Sequence, residues 1–320
     1  MSTNVGIIGT GRIAHTRLAP ALQHVNGARF WSVLSRSKER AEMFANQHGA
    51  MAPVNAHDSL ASFLADPGLE AVIIATPDGL HAQQAIASAR AGKHVLLEKP
   101  MATTLEDAKE ICESCTRERV KLGLAYHLRW HDGHRKIAHM LHEGTLGKPY
   151  YARALWTFKA QDNSNWRAHP EFGRWWGLAG VGTHCIDLMR WMFLPLCGEV
   201  TGVSSLVDKS TYGGPHDETA SVSLQFGDSV IADITTSVKF STVSRFELHC
   251  SDSIVVCEGT LATNGGGNIL VNGVPLEFEL LDPYVGEIQN FVDAVDGKAR
   301  VEVPGAEGTK NVEILLQADS

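Results

Sequence analysis

No stretch of the 320-residue chain holds eighteen uninterrupted apolar residues, so the sequence offers no conventional membrane-spanning helix. Basic residues are not in excess either: 28 Lys and Arg stand against 36 Asp and Glu, a formal net charge of -8, with the two signs mixed along the chain. Without a basic stripe to neutralise a phosphate backbone, nucleic acid is not an expected partner. Cysteine is sparse. The six present, Cys112, Cys115, Cys185, Cys197, Cys250 and Cys257, lie in helix-like or strand-like surroundings rather than in a short, loop-rich frame, and read as free thiols in a reducing compartment. Met1 runs directly into a strand pattern with no basic leader and apolar segment, so a cytoplasmic protein is expected. Internal repeats and low-complexity tracts are also missing.

What is present is 44% apolar and 20% charged residues, enough to bury one or two ordinary cores. Val5 to Gly9 is a short apolar run broken by glycine, followed at once by an amphipathic stretch from Ile13 to Val25. The same alternation recurs: Phe30 to Leu34 leads into Lys38 to Gln47, Ala71 to Ala75 into His81 to Ala91, and His94 to Leu97 into Leu105 to Glu118. Short strands alternating with helices imply right-handed crossovers and a parallel, doubly wound sheet. The rhythm changes near residue 124. After a helix over Asp132 to Leu141 come alternating or β-branched runs at 150–158, 200–207, 219–226, 229–238, 244–250, 253–258 and 268–271. Turn dipeptides such as Gly227-Asp228 and Asn272-Gly273 separate several of them, as antiparallel hairpins require. Helices are expected at Thr183 to Phe193 and Val285 to Val295. The expectation is an α/β chain: a Rossmann-like domain over 1–123 and an α+β domain with a large, mostly antiparallel sheet over 124–320.

Gly9-Thr10-Gly11-Arg12-Ile13-Ala14 reads G-x-G-x-x-A where the first strand gives way to the first helix. Gly9 permits the turn, Gly11 lets a pyrophosphate approach the backbone, and Ala14 allows close helix-sheet packing, while the helix start offers amides and a positive dipole end. The plain alternative is a glycine turn with no ligand. Dinucleotide sites that prefer NAD usually carry an acid at the end of the second strand. Here that place reads Ser35-Arg36-Ser37-Lys38-Glu39-Arg40. The missing acid removes repulsion against a 2′-phosphate that Arg36 and Arg40 could grip, so NADP is the expected cofactor, with NAD possible. A solvated basic loop is the alternative.

A further β-like run ends in Glu98-Lys99-Pro100, at the sheet edge where open α/β folds hold ligands. A lysine there can stabilise charge developing on a substrate oxygen as hydride leaves or arrives. The second chemical element is Gly182-Thr183-His184-Cys185-Ile186-Asp187. Thr183 is expected to cap the helix that follows, putting His184 in its first turn, where the dipole favours a neutral imidazole able to act as a base. The alternatives are a solvent-facing lysine and a helix-start histidine bonded only to backbone.

The sequence resembles the glucose-fructose oxidoreductase, inositol dehydrogenase and MocA family over nearly its whole length. The resemblance rests on Gly9 to Ala14, on Thr76-Pro77-Asp78-Gly79-Leu80-His81, on Ala91-Gly92-Lys93-His94-Val95 running into Glu98-Lys99-Pro100, and on Gly182 to Trp191. Tyr126-His127-Leu128-Arg129 with His134-Arg135, and Trp166-Arg167 followed by Pro170-Glu171, look like the branch that reduces sugars and anhydrosugars. The resemblance implies that Lys99 is catalytic and His184 the general acid/base. It also implies a cis peptide before Pro100 and nucleotide contacts from Thr10, Arg12, Ile13, Thr76, Pro77, His81, Glu98, Trp166, Arg167 and Tyr284. Substrate contacts would come from Lys99, Tyr126, His127, Arg129, Trp166, His184 and Asp187. A homo-oligomer, dimer or tetramer, formed through the second sheet, and a small-molecule substrate are implied as well.

Two departures stand out. Many members carry Asp four residues before the histidine, whereas Gly180 stands there here; Asp187, one turn beyond His184, could partly substitute. The usual glycine-rich stretch is Arg174-Trp175-Trp176, whose aromatics could stack on a sugar ring or form core. Gly180 leaves open a non-catalytic NADP sensor, or a lyase or epimerase that uses held cofactor transiently. The chain is also shorter than is common in the family, so the resemblance implies that a terminal helix or strand is missing. Cys112-x-x-Cys115 falls inside a helix with no second pair at zinc spacing and reads as structural. His127, His131, His134, His139 and His142 read as one or two substrate contacts and several surface residues, not a metal site. Gly265-Gly266-Gly267 opens no helix and reads as a hairpin loop.

Overall fold

The structure, a computed structural model, describes residues 2–319. The chain divides into two compact units, 1–126 with 284–312, and 127–283 with 313–320. The first therefore extends slightly past the expected boundary and takes back a late segment that the sequence reading had assigned to the second.

In the first unit, strands β1 (Thr3–Ile8), β2 (Ala28–Leu34), β3 (Ala56–His57), β4 (Ala71–Ile74), β5 (His94–Glu98) and β6 (Leu122–Ala125) form one sheet in the order β3-β2-β1-β4-β5-β6. Every pair is parallel. The crossovers include helices α1 (Ala19–Leu22), α2 (Lys38–His48), α3 (Leu60–Leu64), α4 (His81–Arg90) and α5 (Leu105–Arg117). The first begins differently from expectation, because a π-turn at Ala14–Leu18 precedes α1. Val5, Ile7, Val33, Ala71, Ile73 and Leu96 are buried in the core with Ala14, Leu18 and Phe44. Strand runs this apolar follow from burial on both sheet faces.

The second unit holds α6 (Asp132–His142), β7 (Pro149–Thr157), α7 (Thr183–Cys197), β8 (Val200–Asp208), β9 (Thr219–Phe226), β10 (Val230–Ser237), β11 (Arg245–Cys250), β12 (Ile254–Glu258), β13 (Asn268–Val271) and β14 (Val274–Pro275). Its eight strands run β14-β13-β12-β11-β7-β10-β9-β8, antiparallel except for the β7–β10 pair. One sheet face is core: Ala152, Ala154, Val222, Leu224, Ile234, Phe246, Leu248 and Val255 cluster with Ile137 and Leu141 of α6 and Ile186, Met189 and Phe193 of α7. The other face carries exposed Leu206, Ile231, Ile254 and Leu270 beside charged pairs such as Arg153–Glu247 and Arg245–Glu258.

Helix α8 (Pro283–Val295) then contributes Tyr284, Ile288, Phe291 and Val292 to the core of the first unit. Val303 accepts the Leu124 amide at 2.9 Å, sealing the β6 edge, before the last helix, α9 (Gly305–Ala318). The sequence reading missed β3, β6, β14, α3 and α9. The strands are short, and α9 contains Gly305 and Gly308, which weaken a helical pattern. No helix among the described residues is long and apolar enough to cross a membrane.

Candidate active site

In the first unit the strands are all parallel, so the residues that follow them gather along one sheet edge. Gly9 follows β1, Ser35 follows β2, Thr76 lies just beyond β4, and Lys99 follows β5. The order reverses between β1 and β4, the switch point at which open α/β sheets leave a ligand crevice. Gly9 has φ of +105°, and a Cβ there would lie 2.6 Å from the Ala75 carbonyl oxygen; no other residue fits the turn. A Cβ on Gly11 would meet only the Ala75 oxygen, at 4.0 Å, so its backbone is bare toward solvent. Helical structure then covers residues 12–22, with Arg12 exposed and Ile13 half-buried. This loop fits a pyrophosphate.

Thr10 and Ser35, both buried, share a side-chain hydrogen bond of 3.0 Å that ties the glycine loop to the end of β2. Arg36 is exposed beyond it, and Ser37 caps α2 by accepting the Arg40 amide at 3.3 Å. Arg40 reaches back, Nη2 lying 3.4 Å from the Thr10 carbonyl oxygen. Arg36 and Arg40 thus follow the strand end at which an NAD site would carry an acid.

The Lys99–Pro100 peptide is cis, as the resemblance implied. Glu98 and Lys99 are largely buried, with Glu98 Oε2 accepting the Lys99 amide at 3.1 Å. His81 differs from expectation. It is 0% exposed, and its ring nitrogens lie 2.9 Å from the Pro100 carbonyl and 3.0 Å from the Thr76 carbonyl. Its imidazole therefore braces the β4 and β5 strand ends from within the fold. Thr76 donates its hydroxyl to Gln84 at 2.6 Å, and Pro77 precedes the short 3-10 turn at Asp78–Leu80. Tyr126 is 1% exposed, and Tyr284 is buried in the same core cluster as Ala14 and Ala75.

In the second unit His184 lies inside a helical run over residues 177–197, not at its start. A π-turn at Leu178–Gly182 leads directly into α7, so Thr183 is no cap, and the expected placement in a first turn is corrected. Gly177, Gly180 and Gly182 hid this helix start, since glycine is a poor helix former. The His184 ring meets His127 edge-on, with centroids 4.6 Å apart, and Trp156 at 5.4 Å. Trp156 was overlooked, although the alternation Ala152, Ala154, Trp156 along β7 puts it on the same face as core residues.

Arg129 donates to Asp187 twice, Nε to Oδ2 at 2.8 Å and Nη2 to Oδ1 at 2.6 Å, and both side chains are buried. Asp187 therefore holds Arg129, and the pair locks the His127–Trp130 turn to α7. A Cβ on Gly180 would come within 3.2 Å of Phe158, so an acid there would crowd that ring. Arg167 lies 4.0 Å over the Trp166 ring, in a turn whose start Asn165 caps. Trp175 and Trp176 resolve to core: Trp175 is 0% and Trp176 2% exposed, the latter packed with Val238 and Ala168.

The histidine reading also needs correction. His131 and His134 are 0% exposed and stacked at 4.3 Å, His131 bonding to the Gly266 carbonyl and His134 to the Thr260 hydroxyl. Burial holds both below the usual imidazole range. They brace the β12–β13 loop; only His139 and His142 of the five are exposed. Burial pushes the Cys115 thiol up to about 12, as suits a structural residue. Among the described residues no group of His, Cys, Asp and Glu could hold a metal ion.

Residues 3–126 match the oxidoreductase family with an NAD-binding Rossmann fold, and residues 134–256 match the GFO/IDH/MocA C-terminal domain. The chain belongs to this family. It is 29% identical over 311 residues to a 1,5-anhydro-D-fructose reductase of Ensifer adhaerens, covering 95% of this chain and 91% of that one. Among solved structures, an aldose-aldose oxidoreductase from Caulobacter crescentus complexed with glycerol superposes with TM-score 0.91 at 18% identity, covering 99% of this chain and 96% of that one. A 3-ketoreductase from Actinomadura kijaniata, in complex with TDP-benzene and NADP, gives 0.85 at 20% identity, with 99% and 98% covered. At these identities the two structures speak for the fold. The chain is thus a nicotinamide-dependent oxidoreductase of the GFO/IDH/MocA type.

Replacing Asp187 by alanine leaves a buried guanidinium without its carboxylate, which should cost about 3–5 kcal/mol. Urea unfolding should show a lower midpoint for Asp187→Ala, and an unchanged midpoint would remove the pair from the account of this helix.

Proposed function

We propose that the enzyme transfers hydride between NADP and the carbonyl or carbinol carbon of a sugar, anhydrosugar or polyol. The observation that carries this reading is the shared edge of the parallel sheet, where the bare glycine loop, the Arg36 and Arg40 loop and the Lys99 strand end all lie at strand carboxyl ends. The relation to an anhydrosugar reductase across nearly the whole chain favours the substrate class.

Bound there, NADP supplies or accepts the hydride. Thr10, Gly11, Arg12 and Ile13 receive the pyrophosphate, Arg36 and Arg40 pair with the 2′-phosphate, and Thr76, Pro77, Glu98 and Tyr284 frame the rest of the nucleotide. Lys99 donates to the substrate oxygen and stabilises the negative charge that grows on it. His184 gives the proton to that oxygen in reduction and takes it in oxidation. Tyr126, His127, Trp166 and Arg167 contact the substrate or the nicotinamide end of the cofactor, while Arg129 and Asp187 hold the His127 turn in place. The free thiols fit a reducing compartment such as the cytoplasm.

The open sheet face, with Leu206 81% and Ile231 52% exposed, is proposed as the contact with a second copy of this chain.

With NADPH and 1,5-anhydro-D-fructose as the first probe, Lys99→Ala should lower kcat about 100- to 1000-fold with little change in NADPH affinity. Equal losses in both would mean a structural role. Arg36→Ala should weaken NADPH relative to NADH by about tenfold or more in kcat/KM, and a wild-type preference for NADH would end the 2′-phosphate assignment. Light scattering on Leu206→Glu/Ile231→Glu should give the mass of a single chain where the wild type gives a multiple; a wild-type monomer contradicts the sheet contact.

A further inference from the structure

The helical run that carries His184 starts with no cap from its own sequence, because the residue ahead of the π-turn is Gly177. The acceptor arrives from forty positions later. Asp217, 0% exposed, accepts the Trp176 amide on Oδ1 at 2.8 Å and the Leu178 amide on Oδ2 at 2.7 Å, and its own carbonyl accepts the Gly177 amide at 3.3 Å. Three successive amides at the helix start are satisfied by one residue. Only a carboxylate does this well: asparagine has one acceptor oxygen and would turn an NH₂ toward the second amide.

The next residue works in the same way on another segment, Glu218 accepting the Thr211 and Tyr212 amides at 2.7 and 2.6 Å. The site around Asp217 is closely filled. A Cβ on Gly177 would lie 2.7 Å from Thr236 Oγ1 and 2.9 Å from Asp217 Oδ2, so glycine is required where the carboxylate docks. Keeping an acid here is costly, since burial pushes Asp217 up to about 7 against the pull of the Trp176 and Leu178 amides. Asp319 adds a like-charge push in the same direction, and is itself 3.7 Å from Arg174 and 3.0 Å from Lys209. Capping of a helix start is ordinarily local; here it crosses the fold to reach the helix that presents His184, about two turns ahead of the imidazole.

We propose that Asp217 is a positioning residue for His184, fixing the start of the glycine-rich turn and so the height and rotation at which the imidazole is presented. The inference rests on the reading of His184 as the proton-exchanging group. The π-turn, with Gly180 and Gly182 inside it and Gly177 ahead of it, has little intrinsic stiffness, and the external carboxylate supplies the order that a local cap would otherwise give.

The test uses the full chain with Asp217→Asn, Asp217→Ala and Gly177→Ala, read by NADPH oxidation with 1,5-anhydro-D-fructose and by NMR of histidine-labelled protein, the His184 signal being assigned by its loss in His184→Gln. The expected result is a graded fall in kcat, greater for Ala than for Asn at 217, reaching about tenfold or more, with KM for NADPH within twofold. The His184 resonances should shift or broaden in each variant while those of His15, His48 and His81 in the first unit stay in place. Unmoved His184 resonances and unchanged kcat in a folded Asp217→Asn protein overturn the proposal. If Asp217→Ala does not fold, Asp217→Asn and Gly177→Ala carry the comparison. If His184→Gln keeps full turnover, the acid/base reading fails by itself, and the resonances still decide whether Asp217 positions the ring.

Discussion

The parallel order of the first sheet is the constraint on which the cofactor side of the chemistry depends. Since all six strands run one way, each strand delivers its next residue to the same edge, and the reversal of order between β1 and β4 opens that edge to a ligand. A side-chain hydrogen bond between Thr10 and Ser35 then joins two of these strand ends, while His81 joins two others through the Thr76 and Pro100 carbonyls. Loops that are separate in sequence are fixed to one another by buried polar contacts, so the site is pre-formed by the sheet and its ties.

The second unit solves its positioning problem with buried charge. Arg129 and Asp187 neutralise each other between the His127 turn and α7. Asp217 meets amides, with no cation at its carboxylate oxygens in the bonds described above. Both arrangements give geometry that an apolar contact would not, because hydrogen bonds between buried groups have one satisfactory orientation. The aromatic surroundings of His184, with His127 on one side and Trp156 on another, complete a side-chain cluster that no single stretch of sequence contains.

Much of this was legible in the residues themselves. The glycine loop, the acid-free end of β2, the strand ending in Lys99 and the change from helix-strand alternation to hairpins were readable because each is local: its signal lies within a dozen residues. Failures fall where the determining partner is distant. Asp187 reads as a companion of His184 by helical spacing, but its bidentate partner Arg129, 58 positions away, leaves no local signal. His131 and His134 belong to a set read as one or two substrate contacts and several surface residues, but the Gly266 carbonyl and Thr260 satisfy them inside. The helix start at 177 was invisible for the same reason, since its cap is Asp217. Only Trp156 had a local signal that went unread, the period-two pattern of β7.

The path of the chain has its own consequence. Helix α8 supplies Ile288, Phe291 and Val292 to the core of the first unit, and Val303 closes the open side of β6, yet these residues are made after the entire antiparallel sheet. On the ribosome, the nucleotide-binding unit must wait with an uncovered flank and an open outer edge on β6 until the sheet unit has been synthesised. Nascent chains that stop short of α8 therefore pass through a stage in which the earlier half needs shielding from neighbouring polypeptides, and residues 284–312 release it from that dependence.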